Sequence, residues 1–257
     1  MRNIQFIVLF SAVFVLFSCK DKNKEEENQP TPTTAKVLVH FKPMWGDQPF
    51  VMQQVYHDDF GNRIRSDKFM QYYSGIRLRN TAGEDVIMKD FYLADFYNNI
   101  DFEFDVPPGS YNRFNFDIGI PEDYNKDQDP AQYANDHPLS VAGSQGMFWT
   151  WNTGYIFLKF EGKADTTGTD GAELLEPVAI HIGDDPMFTR YSSPLMDIQL
   201  AAGDTREINV LIHVDQIFAT GAANDIDLAT DAITHTSNNL DLANQFMENY
   251  TYAITVE

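Results

Sequence analysis

Apolar residues in this chain fall in short alternating runs, with little of the three-and-four spacing that marks an amphipathic helix. In residues 100–106, Phe102 and Phe104 alternate with Glu103 and Asp105, the pattern of a strand with one buried and one solvated face. Comparable runs cover 36–42, 68–79, 84–95, 109–120, 154–162, 176–183, 195–200 and 205–213. They are rich in aromatic and β-branched residues and are punctuated by Gly, Pro, Asn and Asp, so each is predicted to be a strand. Helical signals are confined to 214–218 and to 240–248, the latter starting after Asn238 or Asn239. This grammar predicts an all-β chain, an antiparallel β-sandwich of a single domain with few short helices.

The stretch 146–162, GMFWTWNTGYIFLKFEG, differs from the other runs. Tyr155, Phe157 and Lys159 share one face and Ile156, Leu158 and Phe160 the other, so both faces are largely apolar and a central strand covered on both sides is expected. Trp149 and Trp151 fall on the same side at period 2. Gly154 after them allows a bulge or a close backbone approach. A tryptophan pair in a β-domain is ordinarily core.

The first residues follow a different rule. Residues 1–18 read as a lipoprotein signal peptide, with Arg2 at the charged start and an apolar run from Ile4 to Phe17. Leu16-Phe-Ser-Cys19 resembles a bacterial lipobox, and Cys19 is the chain's single cysteine. An unpaired thiol is unusual in an exported protein, and lipidation accounts for its place and its solitude. Residues 19–34 are charged and then Pro/Thr-rich, a disordered tether ahead of a folded domain at 35–257. The charged start of the tether resembles the export signals of surface lipoproteins in Bacteroidetes. The expected location is the outer membrane, on its periplasmic or cell-surface side, with the membrane reached through the N-terminal lipid anchor. A net charge of −20 argues against nucleic acid or an anionic membrane surface as a direct partner and leaves cations open.

Candidate chemistry rests on six histidines, His40, His57, His137, His181, His213 and His235. HExxH, Cys/His zinc spacing, a phosphate-binding glycine loop and a Gly-x-Ser-x-Gly elbow are all absent from the sequence, and nothing singles out a catalytic triad, so no enzymatic activity is expected. His40, His181 and His213 lie on or at the end of predicted strands, where residues distant in sequence can converge on a metal; a strand histidine is equally at home as a half-buried structural residue. His57 and His235 fall in polar stretches and are expected to be solvated. Asp123-Tyr-Asn125-Lys-Asp127-Gln-Asp129 begins like a calcium loop. Gln128 replaces the needed glycine and Ala134 the bidentate glutamate, so an acidic surface loop is expected instead.

Several motifs lie in one order. Tyr72-Tyr-Ser-Gly-Ile-Arg-Leu78, Pro107-Pro-Gly-Ser-Tyr111, Phe116-Asp-Ile-Gly119, His137-Pro-Leu139, the W-x-W-x-x-G-Y core from Trp149 to Tyr155, and His181-Ile-Gly183 follow one another along the chain. Together they resemble the MbnP-like copper-binding protein family over most of 37–218. The resemblance implies a β-sandwich that binds copper and serves copper acquisition or handling. It implies a metal site containing His181, at a recurrent family position, with His137 or His40, near Trp149 and Trp151. In some members a tryptophan at the copper is oxidised to kynurenine by a di-haem partner, which makes Trp149 and Trp151 candidates for oxidation and a di-haem peroxidase-like protein a candidate partner. This chain departs from those members in lacking their additional cysteines and an alignable Trp-x-His triplet. The competing reading is a surface adhesin or glycan-binding sandwich without metal, with Trp45 and Tyr56 as aromatic platforms.

Overall fold

The alternating runs form strands largely where their periodicity places them. The structure, a computed structural model, describes residues 33–149, 154–169, 171, 173–218 and 225–257. The predicted leader, Cys19, the tether through residue 32 and Trp151 lie outside the described residues. The chain runs through β1 (Ala35–Trp45), β2 (Gln48–Pro49), β3 (Val55–His57), β4 (Arg63–Asn80), β5 (Asp85–Asp95), β6 (Ile100–Val106) and β7 (Gly109–Ile118) to the short helix α1 (Glu122–Asn125). It continues as β8 (Ile156–Asp165), β9 (Glu176–Gly183), β10 (Thr189–Ser192), β11 (Ile198–Leu200), β12 (Thr205–His213) and α2 (Val214–Phe218). The last elements are β13 (Ile233–Thr234), α3 (Leu240–Tyr252) and β14 (Ile254–Val256). Among the described residues no helix is long and apolar enough to cross a membrane.

These strands make two sheets packed as a sandwich. The smaller has the order β14-β12-β1, with β2 and β6 both on the free side of β1; the larger has the order β10-β7-β4-β8-β9-β13, with β3 and β5 also on β4 and β11 on β7. The inner faces meet through Phe41, whose ring lies 4.3 Å from Tyr73 and 5.4 Å from Phe116. Two pairings, β1 with β12 and β9 with β13, run parallel, so the sheets are mixed where antiparallel pairing was expected. Neither pair is joined by a hairpin, and strands brought together from distant positions are free to run in either sense. Helix α3 starts at the expected place, the Asn239 side chain accepting from the Leu242 amide at 3.2 Å, and runs on to Tyr252.

β8 is central. It pairs with β4, Phe160 opposite Phe69, and with β9, Phe160 opposite Ile180. Leu158 and Phe160 face the core between the sheets, while Tyr155 and Phe157 are covered on the outer face by residues 119–149. In that cover Tyr155 donates to the Leu139 carbonyl at 2.5 Å and Tyr72 to that of Pro138 at 2.8 Å. The two-sided apolar pattern is therefore the pattern of a strand buried twice.

Trp149 precedes the strand expected at 154–162 and does not continue it. The Trp149 amide donates to Gly154 O at 3.0 Å and the Ile156 amide to Met147 O at 2.8 Å, so residues 147–149 lie antiparallel alongside 154–156. Trp149 thus faces the end of β8 from a separate segment. Gly154, at φ 141°, and the buried Asn125 set this geometry. The Asn125 carbonyl oxygen accepts from the Tyr155 amide at 2.7 Å, and its amide group donates to Asp185 at 2.7 Å. A Cβ at 154 would stand 3.0 Å from that same oxygen.

Candidate metal centre

β9 alternates Val178, Ile180 and Ile182 into the core, which turns His181 to the outer face of the larger sheet. The parallel pairing of β13 sets Ile233 opposite Ala179 and Thr234 opposite Ile180, and the next step of that register brings His235 beside His181. A tight turn then fixes His235. Its amide donates to the Asn238 side chain at 2.5 Å, and Thr236, at φ 65°, donates to the His181 carbonyl at 3.1 Å while accepting from the Gly183 amide at 2.9 Å.

The two imidazoles stand nearly perpendicular, 86° between planes, with centroids 4.7 Å apart. The Trp149 indole closes the third side, 6.1 Å from His181 and 6.3 Å from His235. It approaches this closely because position 183 has no side chain: a Cβ there would lie 2.8 Å from the indole Nε1. On the other flank β8 presents Lys159, directly across from His181, and Glu161 two residues on. Glu161 Oε1 and His181 Nε2 are 2.7 Å apart. The bond to His181 holds the Glu161 carboxyl below its ordinary range. Burial pushes the His235 imidazole down, aided by the charge of His181 and opposed by Glu161. Burial likewise lowers the Lys159 ammonium, which donates to the Gly146 carbonyl at 3.0 Å.

Imidazole nitrogens bind a first-row metal at about 2.0–2.1 Å, which puts the ring centroids of two adjacent ligands on one ion roughly 4.5 Å apart at a right angle and roughly 5.2 Å apart at a tetrahedral one. The His181–His235 spacing fits that requirement. Among the described residues no group of three or more His, Cys, Asp or Glu side chains gathers into a ligand set, so the pair supplies two nitrogens to any ion held there.

The remaining candidates lie elsewhere. His40 stands opposite Asp101 across β1 and β6, Nδ1 and Oδ1 2.6 Å apart. It alternates with core residues Val39 and Phe41, so it points outward from the smaller sheet, away from His181 on the larger one. His137 accepts the Leu139 amide on Nδ1 at 3.1 Å and stacks on Tyr133 at 4.5 Å, which places it in the outer cover without contact to His181. His235, expected in solvent, is instead half-buried in the cluster. Its signal was the Ile-Thr-His-Thr run at 233–236, a β-branched strand pattern too short to weigh against its polar flanks. The calcium-like stretch is absorbed by structure: Asn125 staples β8, and Asp129 caps a short turn by accepting the Ala131 amide at 2.9 Å. Tyr56 is buried beneath the half-buried Trp45, stacked on it at 4.6 Å, so the Tyr56 ring presents no open platform. A cleft of about 520 Å³ lined by Phe41, Phe50, Phe96 and Asp101 lies apart from the histidine pair.

The family model of MbnP matches residues 34–240. Among solved structures, MbnP from Methylosinus trichosporium is similar, with 13% identity, 72% of this chain and 78% of that chain covered, and a TM-score of 0.46. No curated protein matches the sequence.

Proposed function

This chain belongs to the MbnP family, and on that premise we propose that it is an exported, lipid-anchored copper-binding protein whose metal is held by His181 and His235 beside Trp149. The observation that carries this reading is the convergence of two imidazoles and an indole from three separate segments, with ring spacings of 4.7, 6.1 and 6.3 Å. Neutral imidazole is a good donor for Cu(II), which heads the divalent affinity series. The lowered proton affinity of His235 favours the neutral form in which imidazole ligates. Trp149 limits water on one side, and the acidic surface raises the local cation concentration. Copper acquisition or handling is the role this site serves. Trp149 is the described tryptophan on which oxidation by a di-haem partner would fall, and the mass of the tryptic peptide from native protein reports it.

The test is a Cu(II) titration followed by EPR. The parent is expected to bind with nitrogen hyperfine coupling, and His181→Ala and His235→Ala are each expected to lose tight binding. His40→Ala and His137→Ala should bind as the parent does. Parent-like binding by both His181→Ala and His235→Ala overturns the site.

A further inference from the structure

We propose that Glu161 is a positioning residue: it fixes His181 in the tautomer protonated at Nε2 and thereby leaves Nδ1 as the one nitrogen this imidazole offers to a metal. The purpose of that arrangement rests on the copper reading; the tautomer itself does not.

The assignment follows from donors and acceptors. An ionised carboxylate can only accept, and Oε1 of Glu161 is 2.7 Å from Nε2 of His181, so the hydrogen between them belongs to the imidazole. A glutamate carboxyl is ionised at neutral pH. A neutral imidazole with its proton on Nε2 carries its lone pair on Nδ1.

The strands build this contact. Lys159 pairs with His181 and Glu161 with Ala179, so Glu161 reaches His181 on the diagonal between neighbouring strands of one sheet face. Rotating the ring to exchange its nitrogens would set a C–H against the carboxylate and give up the bond. The ring is also enclosed, its side chain 13% exposed, with His235 and Trp149 on its other sides. A carboxylate on the outer nitrogen of a ligating histidine fixes orientation and raises the basicity of the inner one, and losing such a partner typically costs 10–100-fold in metal affinity.

The experiment has two readouts on parent, Glu161→Gln and Glu161→Ala. Glu161 is 38% exposed on its side chain, so both variants are expected to fold, which far-UV circular dichroism verifies. In metal-free protein at about pH 8, long-range nitrogen–proton correlation spectra should give His181 as the Nε2–H tautomer. Glu161→Ala should lose that single tautomer, and Glu161→Gln, which keeps an acceptor oxygen, should restore it. A parent protonated at Nδ1, or a Glu161→Ala spectrum like the parent's, overturns the proposal. In the second readout Glu161→Ala should weaken Cu(II) binding roughly 10–100-fold, with Glu161→Gln between it and the parent. Abolition of binding as complete as in His181→Ala would make Glu161 a ligand and also overturn the positioning role. If the parent binds no copper, the copper reading fails while the tautomer result stands.

Discussion

The indole of Trp149 rests on the backbone of Gly183, with its Nε1 2.8 Å from the place a Cβ would occupy. The same Cβ would meet the Tyr155 carbonyl oxygen at 2.8 Å, so a methyl group cannot be absorbed by the indole alone. Gly183→Ala is expected to push Trp149 off β9, to cost about 1–3 kcal/mol as an overpacked core site does, and to weaken copper binding. Urea unfolding followed by tryptophan emission measures the first two effects. A parent-like midpoint and spectrum would show that the contact is not tight.

A second packing relationship tests the outer cover of β8. Phe157 is fully buried, and a Cβ on Gly119, which sits at φ 99°, would come within 2.5 Å of its ring. Phe157→Ala should cost about 3–5 kcal/mol. Gly119→Ala should also be destabilising, through its backbone conformation and through the ring. In the double variant the ring is gone, so only the backbone part remains and the two costs should add to less than their sum. Strict additivity in chemical denaturation would mean that the two positions do not touch.

Acid stability should depend on Asp85. Its carboxylate accepts two bonds from Arg79, at 2.8 and 2.9 Å, and Arg77 stands 3.5 Å away. The bond to Arg79 holds its proton affinity below the ordinary value of 3.8, so the unfolded chain takes up this proton first on acidification. The contribution to stability is therefore present above 3.8 and is lost as pH falls through the lower folded value. Asp85→Asn should be less stable than the parent at neutral pH and equal to it once the Asp85 carboxyl is protonated in both the folded and the unfolded chain. A difference between the two that persists at the acid end would place the effect outside this pair.

Much of the sandwich was legible because alternation reports burial directly. The runs at 100–106, 176–183 and 205–213 are strands with those bounds, and the two-sided pattern of β8 marks a strand covered twice. Pairing sense was less legible, since nothing local to β1 or β9 encodes a parallel partner far along the chain. The candidate site was half legible. His181 is marked by its place before Gly183, whereas His235 reaches it only through the parallel register of β13, a strand of two residues. The position of Trp149 depends on a chain reversal set by Asn125 and Gly154, 29 residues apart in numbering, which periodicity within one run cannot reveal.

The lipid anchor is testable apart from the domain. Cys19, preceded by Leu16-Phe-Ser18, is the residue expected to carry the lipid. A diacyl group gives stable anchoring, whereas one chain binds membranes only marginally. Cys19→Ser should move the protein from the membrane fraction to the soluble fraction while leaving its unfolding midpoint unchanged. An unaltered membrane partition would require some other attachment.

Lys159 gives a prediction in which stability and binding should separate. Lys159 is 8% exposed, its ammonium reaches the Gly146 carbonyl, and the residue stands across the strand pair from His181. Lys159→Met keeps the length of the side chain and removes the charge. The Gly146 carbonyl loses a donor but lies at an exposed turn where water can replace it, and the cost of holding an ammonium out of water disappears. These effects oppose each other, so the unfolding free energy should change by less than about 1 kcal/mol. At the histidine pair the positive charge in the same outer face repels an incoming cation, and this outweighs its smaller influence on the proton affinities of His235 and Glu161. At an effective dielectric near 20, removing it is worth on the order of 1 kcal/mol or more, several-fold in affinity. Isothermal titration with Cu(II) should find tighter binding in Lys159→Met than in the parent, and the salt dependence of binding should shift in the direction of a more attractive site. Weaker binding at unchanged stability would mean that Lys159 supports the site through the Gly146 segment that carries Trp149, and that its charge is of no consequence there.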